Sequence, residues 1–196
     1  MTIVLTKPPR NWDPVVKLTH WSIVLAVLAN GVVTEGGSWP HIWVGFALAG
    51  MLALRLLWGL VGPREARFSA FPPSLRRALA HIREIKAGKV HDQPSHNPLG
   101  ALMVYAIWGT LGIIIASGIA MAGLPPKAMT HERHAVEQAA PHGEDERDGE
   151  ENPLGETHEA AVNLLYVLIV LHLGGVIFET RRSGQGLVLA MLPGRR

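Results

Sequence analysis

The sequence predicts an all-α fold: an integral-membrane four-helix bundle with four transmembrane helices and both termini cytoplasmic. Three observations carry that expectation. Apolar residues gather into four blocks of membrane-spanning length, positive charge falls on alternate connections, and histidines recur at matching depths within the blocks. The chain has 196 residues and is 48% hydrophobic, with the apolar blocks at roughly 15–34, 42–62, 101–123 and 160–178. An apolar run of about 18 or more residues with few charges is long enough to cross a hydrocarbon core. The mean hydropathy of only +0.20 averages these blocks with two long polar connections.

The first block follows Lys7, Arg10 and Lys17, an arrangement that superficially suggests a signal peptide. Its apolar run is longer than the roughly 7–15 residues of a signal core, and no small-residue cleavage site follows, so it reads as a retained first span. The second block opens at His41 and carries a charge, Arg55, deep within it. In the connection that follows, residues 74–87 bring Leu75, Leu79, Ile82 and Ile85 together on a helical wheel with basic residues opposite. That pattern predicts an amphipathic helix lying at the interface. Asn97 and Pro98 supply a cap and first turn for the third block. The 124–156 connection is charged and histidine-rich, and its 127–151 stretch, poor in large apolar residues, is expected to be mobile. Trp21, Trp39, Trp43, Trp58 and Trp108 lie in or at the ends of spans, where several suit an interfacial belt.

Orientation follows from Lys and Arg. The connection after the second block holds Arg64, Arg67, Arg76, Arg77, Arg83, Lys86 and Lys89, and the C-terminal tail holds Arg181, Arg182, Arg195 and Arg196. Residues 35–41 carry no positive charge, and 124–157 carries only Lys127, Arg133 and Arg147. The positive-inside rule therefore places both termini and the 63–99 connection in the cytoplasm. Four spans, an even number, return the chain to its starting side.

The histidines carry the chemistry. His158 and His172 are fourteen residues apart, nearly four turns, so both leave one helix face about 21 Å apart. His20 matches the depth of His172, and His41 that of His158. Two depth-matched pairs, His20/His172 and His41/His158, are the ligand layout of two stacked six-coordinate haems, an arrangement that suits electron transfer over oxygen binding. The competing reading makes them packing histidines with interhelical hydrogen bonds. Arg55 is fourteen residues after His41 and so at the level of the inner pair; either it pairs with a haem propionate or it snorkels to the headgroups. Arg67, just beyond the span, has the same two readings. The remaining histidines lie in connections: His81, His91 and His96 on the basic side, and His131, His134 and His142 among carboxylates, where THERH lacks the spacing of a HExxH zinc site. The chain has no cysteine, which excludes disulfides, thiolate-bound clusters and thioether-linked haem. It has no nucleophile–base pair, phosphate-binding glycine loop, nucleic-acid motif or internal repeat.

Taken together, WDPVVKLTHW around His20, HIWVG at His41, RLLWGLVGPREARF from Arg55 to Phe68, HNPLGALMV from His96, HEAAVNLLYVLIVLHLGGV from His158 to Val176 and the closing GLVLAMLPGRR make the chain resemble the bacterial cytochrome b561 family. That family includes the b-type cytochrome subunits of membrane-bound nickel–iron hydrogenases. The resemblance implies two b-haems in one four-helix domain spanning 1–196, with ligands from the first, second and fourth spans in the pairing above. It also implies residence in the bacterial inner membrane, contact with lipid, and electron exchange between the quinone pool and a redox partner. A periplasmic, cytochrome c-like donor is the expected partner. A hydrogenase anchor, a superoxide:quinone oxidoreductase and a haem-poor scaffold or sensor are the alternatives, and homodimerisation is left open. The 124–156 loop departs from the family pattern.

Overall fold

The computed structural model describes residues 13–88, 97–123, 152–183 and 190–191. All regular structure among the described residues is helical: α1 (Pro14–Leu28), α2 (Trp39–Val61), α3 (Leu75–Lys86), α4 (Pro98–Ala122) and α5 (Pro153–Ser183). Four helical stretches are long and apolar enough to span a membrane, Pro14–Val33, Trp39–Val61, Pro98–Ala122 and Pro153–Arg182. His91, His96, His131, His134 and His142, and the expected mobile stretch 127–151, lie outside the described residues.

Each span starts by the same local device, a short polar side chain followed within two residues by proline. The Asp13 carboxylate accepts the amides of Val15 and Val16 at 2.9 and 3.2 Å, and the Ser38 hydroxyl accepts that of His41 at 3.4 Å. Asn97 Oδ1 accepts the Gly100 amide at 2.7 Å, and Asn152 Oδ1 that of Gly155 at 3.1 Å. The side-chain oxygens satisfy amides that lack an intrahelical partner, while proline, having no N–H to satisfy, fits the first turn. The cap at Asn152 places residues 153–156 in a helix rather than in the preceding loop. α5 also runs past the apolar block to Ser183. Its polar ends, with Glu156 and Glu159 at one and Arg181 and Arg182 at the other, extend the helix beyond the length that hydrocarbon alone would select.

At its far end α1 widens into a π turn, Ala29–Val33, closed by the Thr34 amide on the Ala29 carbonyl at 3.0 Å. A π turn inserts an extra residue into the helix and rotates the residues beyond it about the axis. Asn30, Gly31 and Thr34 are thereby carried round toward α2 and α5.

The helices pack as an antiparallel bundle. α4 and α5 form the most extensive pairing, α1 packs on α2, and α2 on α4. A leucine layer, Leu48, Leu52, Leu111 and Leu165, forms the buried centre, flanked by Ile23, Val27, Ile107 and Ile115. Leu48 is seven residues from both His41 and Arg55, and Leu165 seven from both His158 and His172. Seven residues are nearly two turns, so this layer divides the bundle into two levels. The outward faces remain apolar: Leu25 is 65% exposed, Leu60 64% and Val170 69%. Such faces match a hydrocarbon solvent, in which the helices satisfy their own backbone groups.

The end bearing the arginines, the basic end, is tied by polar and aromatic contacts. Trp58 Nε1 donates to Asp13 at 2.9 Å, linking the end of α2 to the start of α1. Trp21 Nε1 donates to the Met191 carbonyl at 2.9 Å, fastening that residue against α1. The connection after α2 folds back into the bundle rather than away from it. Phe68 lies on Gly59, where any Cβ would collide with its ring. Phe68, Phe71, Tyr105 and Trp108 form a cluster with ring centres 5.7–6.5 Å apart. α3 then packs on α4 through Ala78 and His81, while Leu75 and Leu79 remain exposed, as an interfacial helix requires.

Candidate functional site

Away from the basic end, α1, α2, α4 and α5 enclose a cavity lined mainly by isoleucine, leucine, valine and glycine, with His41 and His158 entering it. His41 owes its place to the Ser38 cap, which starts α2 so that the third helical residue faces inward. His158 lies in the second turn of α5 because that helix begins at Pro153. Their ring centres are 6.3 Å apart, with planes inclined at 60°. An imidazole nitrogen binds a first-row metal at about 2 Å, and its ring centre lies about 1.1 Å further back, so two rings on opposite sides of one metal would have centres roughly 6.3 Å apart. The separation of the His41 and His158 rings is the one that two ligands on opposite sides of a single iron would have.

The rest of the lining is mainly apolar, the chemistry that a macrocycle's faces would require. Gly45 is part of it, and a Cβ there would meet nothing within 4 Å. Gly118 flanks His158, and a Cβ there would reach the ring at 3.4 Å, an ordinary contact distance. No group of three or more His, Cys, Asp or Glu side chains converges among the described residues. Two opposed imidazoles in an apolar slot match an iron whose other four ligands belong to the macrocycle, rather than a bare ion held by the protein.

Both rings are held from behind. Ser117 Oγ lies 3.0 Å from His158 Nδ1 and donates to the Ile113 carbonyl at 2.7 Å. Thr34 Oγ1 lies 3.3 Å from His41 Nδ1 and 3.1 Å from Asn30 Oδ1, while Asn30 Nδ2 donates to the His41 carbonyl at 3.1 Å. Sequence reasoning missed these side chains. A serine or threonine in an apolar helix ordinarily bonds its own preceding turn, and nothing in the sequence distinguishes Ser117 from that ordinary use. Asn30-Gly31 within an apolar span was the one available signal.

At the other level lie His20 on α1 and His172 on α5, both partly buried, and the Trp21 ring stands edge-on to His20 at 5.5 Å. Arg55 sits at this level but does not snorkel. It is 5% exposed, its two terminal nitrogens lie 3.5 and 3.4 Å from the Ala66 carbonyl, and it lies over the Trp108 ring at 4.9 Å. Arg67 is exposed and turns back on its own chain, its Nε donating to the Gly62 carbonyl at 2.6 Å. His81, expected only as a residue of the basic connection, is buried in the α3–α4 contact, with neither ring nitrogen hydrogen-bonded. The Glu84 carboxylate lies 3.5 Å from its Nδ1.

No curated protein and no solved structure matches the chain. The sequence model described as prokaryotic cytochrome b561 matches residues 11–194, the stretch that contains every span and all four paired histidines. The chain belongs to the prokaryotic cytochrome b561 family and is a multi-pass membrane haem b cytochrome of electron transfer.

Proposed function

We propose that this cytochrome carries two bis-histidine b-haems, one on His41 and His158 and one on His20 and His172, and moves single electrons across the membrane between them. The observation that carries the reading is the 6.3 Å separation of the His41 and His158 rings across an apolar slot. Bound haem supplies a one-electron ferric–ferrous couple. The chain's part is to hold it in place and keep water away. Histidines from separate helices would hold a haem from both sides and exclude an exogenous ligand, and the leucine layer between the two levels would keep water from the path. Arg55, buried beside His172's level, is a further donor for a propionate there, and Arg67 at the bundle's edge a second.

The donor is a periplasmic, cytochrome c-like protein meeting the His41/His158 level, and the acceptor is quinone in an inner-membrane bilayer. Alternate placement of the arginine-rich connections supports that orientation. Spectroscopy of the purified protein tests the reading. Two haems per chain with low-spin spectra are expected; one haem, or a high-spin component that binds carbon monoxide, overturns it. Reduction by cytochrome c and reoxidation by a quinone analogue test the exchange. A co-purifying hydrogenase would replace the donor, leaving the haem ligands as assigned.

A further inference from the structure

We propose that Ser117 and Thr34 are positioning residues that fix the tautomer and orientation of the axial pair His158 and His41; the proposal rests on that pair's assignment as haem ligands. The placement of protons leads there. A carbonyl only accepts, so the single Ser117 proton, 2.7 Å from the Ile113 carbonyl, is committed to the helix backbone. Toward His158, 3.0 Å away, the serine oxygen is then an acceptor, and Nδ1 carries the hydrogen.

The same result is reached independently at His41. Because the Asn30 amide nitrogen donates to the His41 carbonyl at 3.1 Å, its oxygen faces Thr34. The Thr34 hydroxyl donates to that oxygen at 3.1 Å and so accepts from His41 Nδ1 at 3.3 Å. A neutral imidazole has one ring N–H. With Nδ1 protonated in both rings, each Nε2 keeps the lone pair that a metal needs. Two unrelated hydroxyls, one on α4 and one just beyond the π turn of α1, thus impose one tautomer on two facing histidines. Ser117 is itself only 5% exposed, so water does not readily take its place. The widened turn has a use in this arrangement: it carries both Asn30 and Thr34 to His41.

Ser117→Ala, Thr34→Ala and their double variant test this in the full-length protein. Both changes are small and leave each ligand in place. Haem transfer to excess apomyoglobin should release one of the two haems about tenfold faster in each single variant, and faster again in the double. The electron paramagnetic resonance signal of that haem should shift, because its imidazole planes are no longer locked, while the other haem's signal and release stay as in wild type. Ser117→Thr, which keeps the hydroxyl, should restore both readouts. Wild-type signals and release rates in the double variant overturn the proposal, as does equal acceleration at both haems, which marks general loosening. His158→Ala separates ligation from positioning. If it removes no haem, the ligand assignment fails; if it removes one while the hydroxyl variants behave as wild type, only the positioning role fails.

Discussion

His158 and His172 share one face of α5, yet each depends on a different helix for its counterpart, and that division is testable by single substitutions. Under the proposed pairing, His158→Ala abolishes the haem held with His41 and leaves the other at wild-type amount, and His172→Ala does the reverse. Haem quantitation and redox titration of each variant check this; loss of both haems from a folded single variant would sink independent pairing. Arg55 poses a subtler question, because its guanidinium already has a structural task. Replacing it with methionine keeps the bulk but leaves the Ala66 carbonyl without its donor, which should cost about 1–3 kcal/mol. If Arg55 also faces a propionate, removing its charge disfavours the reduced, more negative haem. Each kcal/mol of lost stabilisation lowers a one-electron potential by roughly 40 mV. Titration of Arg55→Met should then show a fall confined to the His20/His172 haem. An unchanged potential with lowered stability leaves Arg55 purely structural. The meeting of His41 and His158 was legible in the sequence because residues at one depth of neighbouring spans can reach each other. Ser117 and Thr34 were not, because a hydroxyl that bonds its own helix and one that also steers a histidine are spelled alike.

Among the elements, the helix starts were easy to read and the returning connection was not. A polar side chain before proline marks every span, so the boundaries follow from capping chemistry, whereas hydropathy alone cut α5 short at both polar ends. Asp13 does more than cap, since the same oxygen receives Trp58 Nε1. Asp13→Ala should therefore cost about 2 kcal/mol, the sum of a lost cap and a lost interhelical bond. Asp13→Asn, which retains an acceptor, should cost less than half of that. Thermal loss of the haem absorption band in detergent measures both. The fold-back of Phe68 onto Gly59 was hidden because glycine is common in membrane helices and phenylalanine at residue 68 lies in a polar stretch. Its consequence is a coupling between two residues nine apart in sequence. Gly59→Ala forces the ring out and should destabilise by about 1–3 kcal/mol. In a Phe68→Ala background the same change should cost much less, so a double-mutant cycle yields a clear interaction energy. Additive costs would mean that Phe68 leaves Gly59 in solution.

For the whole molecule, a bundle whose outer faces are apolar has little in its packing to say which end meets the cytoplasm, so orientation rests on charge. Arg64, Arg67, Arg76, Arg77, Arg83, Lys86 and Lys89 crowd one connection, whereas 35–41 has no Lys or Arg. The structure gathers the aromatic cluster, α3 and the Arg55–Ala66 contact at that same basic end, so orientation decides which pair of histidines faces which compartment. Moving those seven charges across the bilayer would be far costlier than moving the sparse Lys127, Arg133 and Arg147 of the opposite connection. Reporter fusions test this directly. Alkaline phosphatase, which needs an oxidising compartment to form its disulfides, should be active when joined within 124–151 and inactive when joined after residue 88 or at the C-terminus. A fluorescent protein that matures only in the cytoplasm should give the opposite pattern. The outcome bears on function as well as placement. With the expected pattern, His41 and His158 lie at the periplasmic level, within reach of a soluble donor. A reversed pattern would put His20 and His172 there instead, and the proposed direction of exchange would have to be reversed with it.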